Sequence, residues 1–276
     1  MWTAMALVVL SADSTTISDC THGCCQQATG RCHVTGTTGV AESKNFHVQS
    51  HARYDARAVA RSCEQWREHL QAKWLGDEPR DAWTPRCLVI IHSRREAYQA
   101  AIGRGGDLSY GSSWVDTQGE RIAQRRIDLL IDSQGAISAF AHELTHVVLA
   151  DAFVGTQPPL WANEGIAILA DSAEKQRLHQ RDLDQSIQQQ TCFHCAELTQ
   201  LASYPSANRI PAFYGQSASL VALLSQAGGS EKLVPFLKSA AIDGYDKALR
   251  DTYGIAGMAD LQRRWNQGRM KIASAL

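Results

Sequence analysis

His142-Glu143-Leu144-Thr145-His146 is the segment whose residue types and spacing can do chemistry. Histidines four apart lie on one face of an α-helix, so both imidazoles can reach a single metal ion. Glu143, next to the first histidine, projects beside such a metal and not onto it, where it can take a proton from an attacking water. Two histidines on a solvated helix would show the same spacing. Here Ala139, Phe140, Ala141, Leu144, Val147, Val148 and Leu149 surround the pair, which predicts a largely buried helix. Buried polar groups need partners, and one metal would serve both rings.

A zinc site needs at least a third protein ligand. An extended motif with a further glycine and histidine fails, because Leu149 and Ala152 stand at those positions. Downstream lies Pro158-Pro159-Leu160-Trp161-Ala162-Asn163-Glu164-Gly165-Ile166-Ala167. Glu164 is an acidic residue in an otherwise apolar helix that follows a proline stop. A helix hairpin would bring it antiparallel to the first helix, facing His142 and His146, where a metal would offset its burial. The alternative is a carboxylate near a helix N-terminus, favoured by the dipole. Asp151 and Asn163 are candidates to orient the histidine rings.

These residues must be positioned by the elements around them. Val59, Cys63, Trp66, Leu70 and Trp74 form one apolar face of a helix from about Asp55 to Leu75. Asn45–Gln49 reads as a short strand and Cys87–Ile91 as a central strand buried on both faces. A short helix follows over Arg94–Ile102. Ser109–Val115 and Arg126–Ile131 read as two more strands, separated by a turn around Gln118-Gly119. Apolar helices are expected over Ala136–Asp151 and Trp161–Ala170. Beyond Asp171 the chain reads as helix: Ala212–Gln226, Glu231–Ala240, Tyr245–Thr252 and Met258–Gln267. Strands with helices first and helices alone afterwards indicate an α+β fold. The division read from this pattern is 1–12, 13–44, 45–171 and 172–276.

The chain has 276 residues with 27 Lys+Arg against 28 Asp+Glu, a balance that gives no reason to expect nucleic acid or an anionic membrane as partner. Met1–Ala12 resembles the apolar part of a secretory signal without its positive start. No other stretch approaches the roughly 18 apolar residues of a membrane span. Eight cysteines favour export, to a secreted or periplasmic location. Cys20, Cys24, Cys25 and Cys32 crowd a Thr/Gly-rich segment that disulfides would tie down. Cys63 and Cys87 are expected to face one layer and to form a bridge. Cys192 and Cys195 suit a local disulfide better than a metal site.

The His142–His146 motif followed by Trp161-x-Asn163-Glu164-Gly165-x-Ala167 resembles the gluzincins, in particular the peptidase-MA-like group of bacterial secreted proteins. The resemblance extends to Phe213–Val221, to Tyr253-Gly254 and to Leu261-x-x-x-Trp265, and covers roughly residues 45 to 270. It implies a zincin-like catalytic domain, a small mixed sheet with a metal-bearing helix, followed by a helical C-terminal half. It maps the third zinc ligand onto Glu164 and the general base onto Glu143. Tyr214 opens a helix much as related aminopeptidases place an oxyanion-stabilising tyrosine; a packing tyrosine is the alternative. His179 and His194 read as surface or turn residues. The resulting expectation is a hydrolase with one catalytic Zn2+ and a peptide or protein substrate, paired with one of the two strands Ser109–Val115 and Arg126–Ile131. Its rival is an inert zinc-stabilised binding protein of the same fold, whose closed site would show four protein ligands.

Overall fold

Alternating apolar residues build the sheet first. A computed structural model describes residues 39–78, 80–103 and 109–273, with side chains to residue 268. The signal-like run and the cluster Cys20–Cys32 lie outside the described residues. Strand β1 (Gly39–Glu42) turns into β2 (Phe46–Ser50) as an antiparallel pair. The turn is held from a helix: the Glu64 carboxylate accepts from Ser43 Oγ at 2.6 Å, Asn45 N at 2.7 Å and Asn45 Nδ2 at 2.6 Å. That helix, α1 (Ala56–Leu75), is capped by Asp55, which accepts from Arg57 N. It buries Cys63, Leu70 and Trp74 of the face its periodicity predicts, with Ala60 beside them, but Trp66 of that face is exposed.

Strand β3 (Cys87–His92) runs parallel between β2 and β5 (Arg121–Leu130), and β4 (Gly111–Gln118) pairs antiparallel with β5 at the edge. The order is β1-β2-β3-β5-β4. Strands β4 and β5 form a longer hairpin than the expected segments, turning at Gly119 with φ 60°. Its outer residues, such as Gln118, Arg121 and Gln124, are polar, so hydrophobic pattern misses a pairing that hydrogen bonds sustain.

Helix α2 (Arg95–Ile102) lies on one face of the sheet, with Tyr98 edge-on to His92 at 5.7 Å. Helices α1 and α3 (Phe140–Ala150) cover the other face. Helix α3 begins later than its apolar run, because the Asp132 carboxylate accepts from Gln134 N and Ala136 N and holds a turn there. Helix α4 (Leu160–Ile168) packs on α3 and is covered in turn by α7 (Ile210–Gly228). Between them come α5 (Ala173–Gln188), which the sequence pattern did not single out because it is mostly polar, and the short α6 (Cys195–Leu198). Helices α8 (Leu233–Asp243), α9 (Tyr245–Tyr253) and α10 (Met258–Ala273) complete the fold. One hydrophobic core runs through both halves, from Phe46 and Val89 to Phe236 and Trp265. Among the described residues no helix is long and apolar enough to cross a membrane.

The expected bridge between Cys63 and Cys87 is not formed. Both are fully buried in the layer between α1 and β3, as their positions predicted, but they remain thiols. Burial pushes both thiols upward, so they serve the core as small apolar groups. Nor does a disulfide join Cys192 to Cys195.

Helices α4 and α7 approach each other tightly at a glycine. A Cβ on Gly165 of α4 would stand 2.5 Å from Ser217 O and 2.8 Å from Val221 Cγ2 of α7. Gly165→Ala is therefore expected to force α4 off α7 and lower stability by about 1–3 kcal/mol. Urea unfolding of the variant checks this; an unchanged midpoint and slope would contradict the tight contact.

Candidate active site

Helix α3 presents His142 and His146 on one face, their rings 4.9 Å apart and inclined at 80°. The Pro158-Pro159 stop reverses the chain into α4, and Glu164 faces the two rings. Its Oε2 lies 3.7 Å from His142 Nε2 and its Oε1 lies 4.0 Å from His146 Nε2. One ligand atom from each of His142, His146 and Glu164 lies within 4.8 Å of the other two. The side chains are 12%, 17% and 5% exposed, so the donors converge in a mostly dry recess open on the histidine side.

The second nitrogen of each ring decides what the first can do. His142 Nδ1 lies 3.0 Å from Asp171 Oδ2, and His146 Nδ1 lies 3.0 Å from Asn163 Oδ1. Both partners are acceptors, with Asn163 placed by this contact, so both Nδ1 atoms carry a proton. In the neutral rings that leaves each Nε2 lone pair directed towards Glu164. Two imidazole nitrogens and a carboxylate, with the outer ring atoms fixed by acceptors, form a donor set that fits zinc. Asn163 thus does what its position suggested. Asp151 does not: it pairs with Arg125 Nη2 at 2.6 Å and with the Trp83 indole, at the opposite end of α3. Asp171, just beyond α4, takes the role expected of Asp151.

Burial works against charge throughout this cluster, and the neighbouring charges outweigh it. His142 is held well above the usual histidine range by Asp171 and Glu164 despite its burial. Glu164 is held below the usual carboxylate range by His146 and His142, and Asp171 by His142 and Lys175, again against burial. Lys175 Nζ stands 3.5 Å from Asp171 Oδ1 and bonds Ser138 O at 2.9 Å, tying α5 to the approach to α3.

Glu143 is buried beside the recess, towards edge strand β4. Its Oε2 accepts from Ser113 Oγ at 2.7 Å. The strand can come so near because residue 111 is glycine: a Cβ there would stand 2.7 Å from Glu143 Cγ and 2.6 Å from Ala139 Cβ.

Two tyrosines reach the site from the C-terminal half. Tyr204 OH donates to Glu164 Oε1 at 2.6 Å. Tyr214, the residue singled out from the sequence, is buried beside it with ring centroids 6.3 Å apart, its hydroxyl next to that of Tyr204. Burial and the Glu164 charge push both phenols far upward, so both remain donors. His179 adjoins Tyr214 with rings 5.8 Å apart; it is half-buried, not a surface residue, and burial lowers its pKa. His194 is exposed at the start of α6. Ser113, Asp171 and Tyr204 were missed from sequence. Asp171 alone carried a signal, an acidic residue two helical turns beyond Glu164.

The sequence model of the peptidase MA superfamily matches residues 130–270, from the end of β5 into α10. No curated protein matches the chain.

Because Asp171 fixes the tautomer and direction of His142, Asp171→Ala is expected to weaken zinc binding about 10–100-fold. Competition with a chromophoric chelator measures it. Affinity within two-fold of wild type would exclude a role for Asp171 in the site.

Proposed function

The chain belongs to the peptidase MA superfamily, and from that membership we propose that it is a zinc-dependent hydrolase acting on peptides or proteins. The observation that carries this is the convergence of His142 Nε2, His146 Nε2 and Glu164 with Glu143 beside them and both Nδ1 atoms held by acceptors. Bound there, zinc would polarise the scissile carbonyl and acidify the attacking water. Glu143 accepts the proton of that water and delivers it to the leaving amine. Ser113 holds one carboxylate oxygen so that the group does not rotate between the two transfers. Tyr214 is the oxyanion donor of this reading, because its hydroxyl is not committed to the Glu164 carboxylate as that of Tyr204 is.

Strand β4 is the better candidate to pair with an extended substrate, because β5 already has a neighbour on each side. Three metal donors converge among the described residues, not the four of a closed structural site, which favours the hydrolase over an inert scaffold.

Purified protein is expected to carry about one zinc per chain, and His146→Ala to lose it, as read by metal analysis. Full occupancy in that variant would sink the ligand assignment. Glu143→Gln is expected to keep zinc and lose hydrolysis of a peptide library by at least about 100-fold, because an amide cannot accept the water's proton. Undiminished cleavage by this variant would remove Glu143 from the mechanism, whatever holds the metal.

A further inference from the structure

We propose that Tyr204 is a positioning residue that ties up one oxygen of Glu164, so that the carboxylate ligates metal through Oε2 alone and a coordination position stays open. The proposal rests on the zinc reading above. Within the ligand set nothing else chooses between the two oxygens: Oε2 is 3.7 Å from His142 Nε2 and Oε1 is 4.0 Å from His146 Nε2. A carboxylate facing two imidazoles in this way can turn both oxygens to one cation. The phenol removes the ambiguity by donating its proton to Oε1 at 2.6 Å, the short distance of a charge-assisted hydrogen bond.

The donor is itself held. Tyr204 lies in the connection between α6 and α7, outside both ligand-bearing helices, and its ring meets Phe213 of α7 edge-on at 5.7 Å and 83°. Phe213 is fully buried, and Gln216 one turn on clamps Phe193 through both its backbone N–H and its carbonyl. The phenol is thus aimed from a packed surface. Glu164 is so buried that water has little access to replace the bond. With Asp171 on His142 and Asn163 on His146, each prospective ligand has its non-ligating polar atom occupied by a different residue. A metal held by two nitrogens and one oxygen keeps room for water or a substrate carbonyl, which a chelating carboxylate would crowd.

Tyr204→Phe keeps the ring against Phe213 and removes only the hydroxyl. Zinc affinity by chelator competition and the visible absorption of the cobalt(II)-substituted protein provide the readouts, and neither requires a substrate. Wild type is expected to show the intense absorption of a four-coordinate ion. Tyr204→Phe is expected to bind zinc about 10-fold more weakly and to lose absorption intensity as the second oxygen joins the metal. An unchanged cobalt spectrum in Tyr204→Phe, with or without a change in affinity, overturns the selection of one oxygen and leaves the zinc reading standing. A weak five- or six-coordinate spectrum in wild type overturns it without recourse to the variant. Failure of wild type to bind either metal sinks the zinc reading, and this inference with it.

Discussion

The burial of the Glu164 carboxylate is the constraint around which the site is arranged. A carboxylate removed from water is costly unless charge or hydrogen bonds replace the lost hydration. Here the replacement comes from three directions: His142 and His146 on α3, and the Tyr204 phenol from the C-terminal half. Each imposes a structural demand. The histidines require α4 to lie against α3, which the Pro158-Pro159 reversal allows. Tyr204 requires α7 to press on the back of α4, and at Gly165 the two backbones approach within what any side chain would permit. The hydroxyl is then carried to Glu164 by the packing of its ring on Phe213.

The other side of the recess is set by the sheet. Helix α3 lies along edge strand β4 at a distance fixed by Gly111, and Ser113 reaches Glu143 from the same face of the strand, two residues on. Strand β4 can present that face because β5 and β3 behind it form a parallel core covered by helices on both sides. At the far end of α3, Arg125 and Arg67 stack on Trp83, with guanidinium carbons 4.8 Å and 4.6 Å from the ring, and Asp151 binds Arg125. That cluster anchors the C-terminal end of the helix while its N-terminal turns carry His142, Glu143 and His146. Asp151 is conspicuous in the sequence, close after His146, yet it belongs to the anchor.

How much of this was legible in the sequence follows from the range of each interaction. His142, Glu143 and His146 are related by one helical turn, so their joint placement could be read from spacing, and α1 and β3 announced themselves through periodicity and an unbroken apolar run. Glu164 was legible as a lone acid in an apolar helix behind a proline stop. Ser113, Asp171 and Tyr204 meet their partners across 30, 29 and 40 residues. Nothing local marks a serine in a polar strand or a tyrosine before Pro205 as a partner of a particular carboxylate. Helix α5 stayed hidden for the opposite reason: only Leu183 and Ser186 of it are buried, so it has almost no apolar stripe. The pairing of Cys63 with Cys87 shows the limit of placement arguments. Their layer was inferred correctly, but a shared buried layer did not make a bridge: both are free cysteines.

The charges around the recess explain why a cation suits it. Glu143, Glu164 and Asp171 bring three carboxylates into one buried neighbourhood, with Lys175 the ammonium paired to Asp171 at its edge. Without a metal the compensating charge sits on imidazole, which is why Asp171 and Glu164 hold His142 protonated far above its ordinary range. His142, His146 and Glu164 could hold a divalent ion only with that proton released, and the ion would supply more positive charge to the same carboxylates than the proton does. The hydrogen bonds to Asp171, Asn163 and Tyr204 need not change when it does so, because each engages an atom other than the one left for ligation. The donor set His142, His146 and Glu164 is thus already brought together by the chain's own hydrogen bonds, so holding a metal there would call for little movement of the chain.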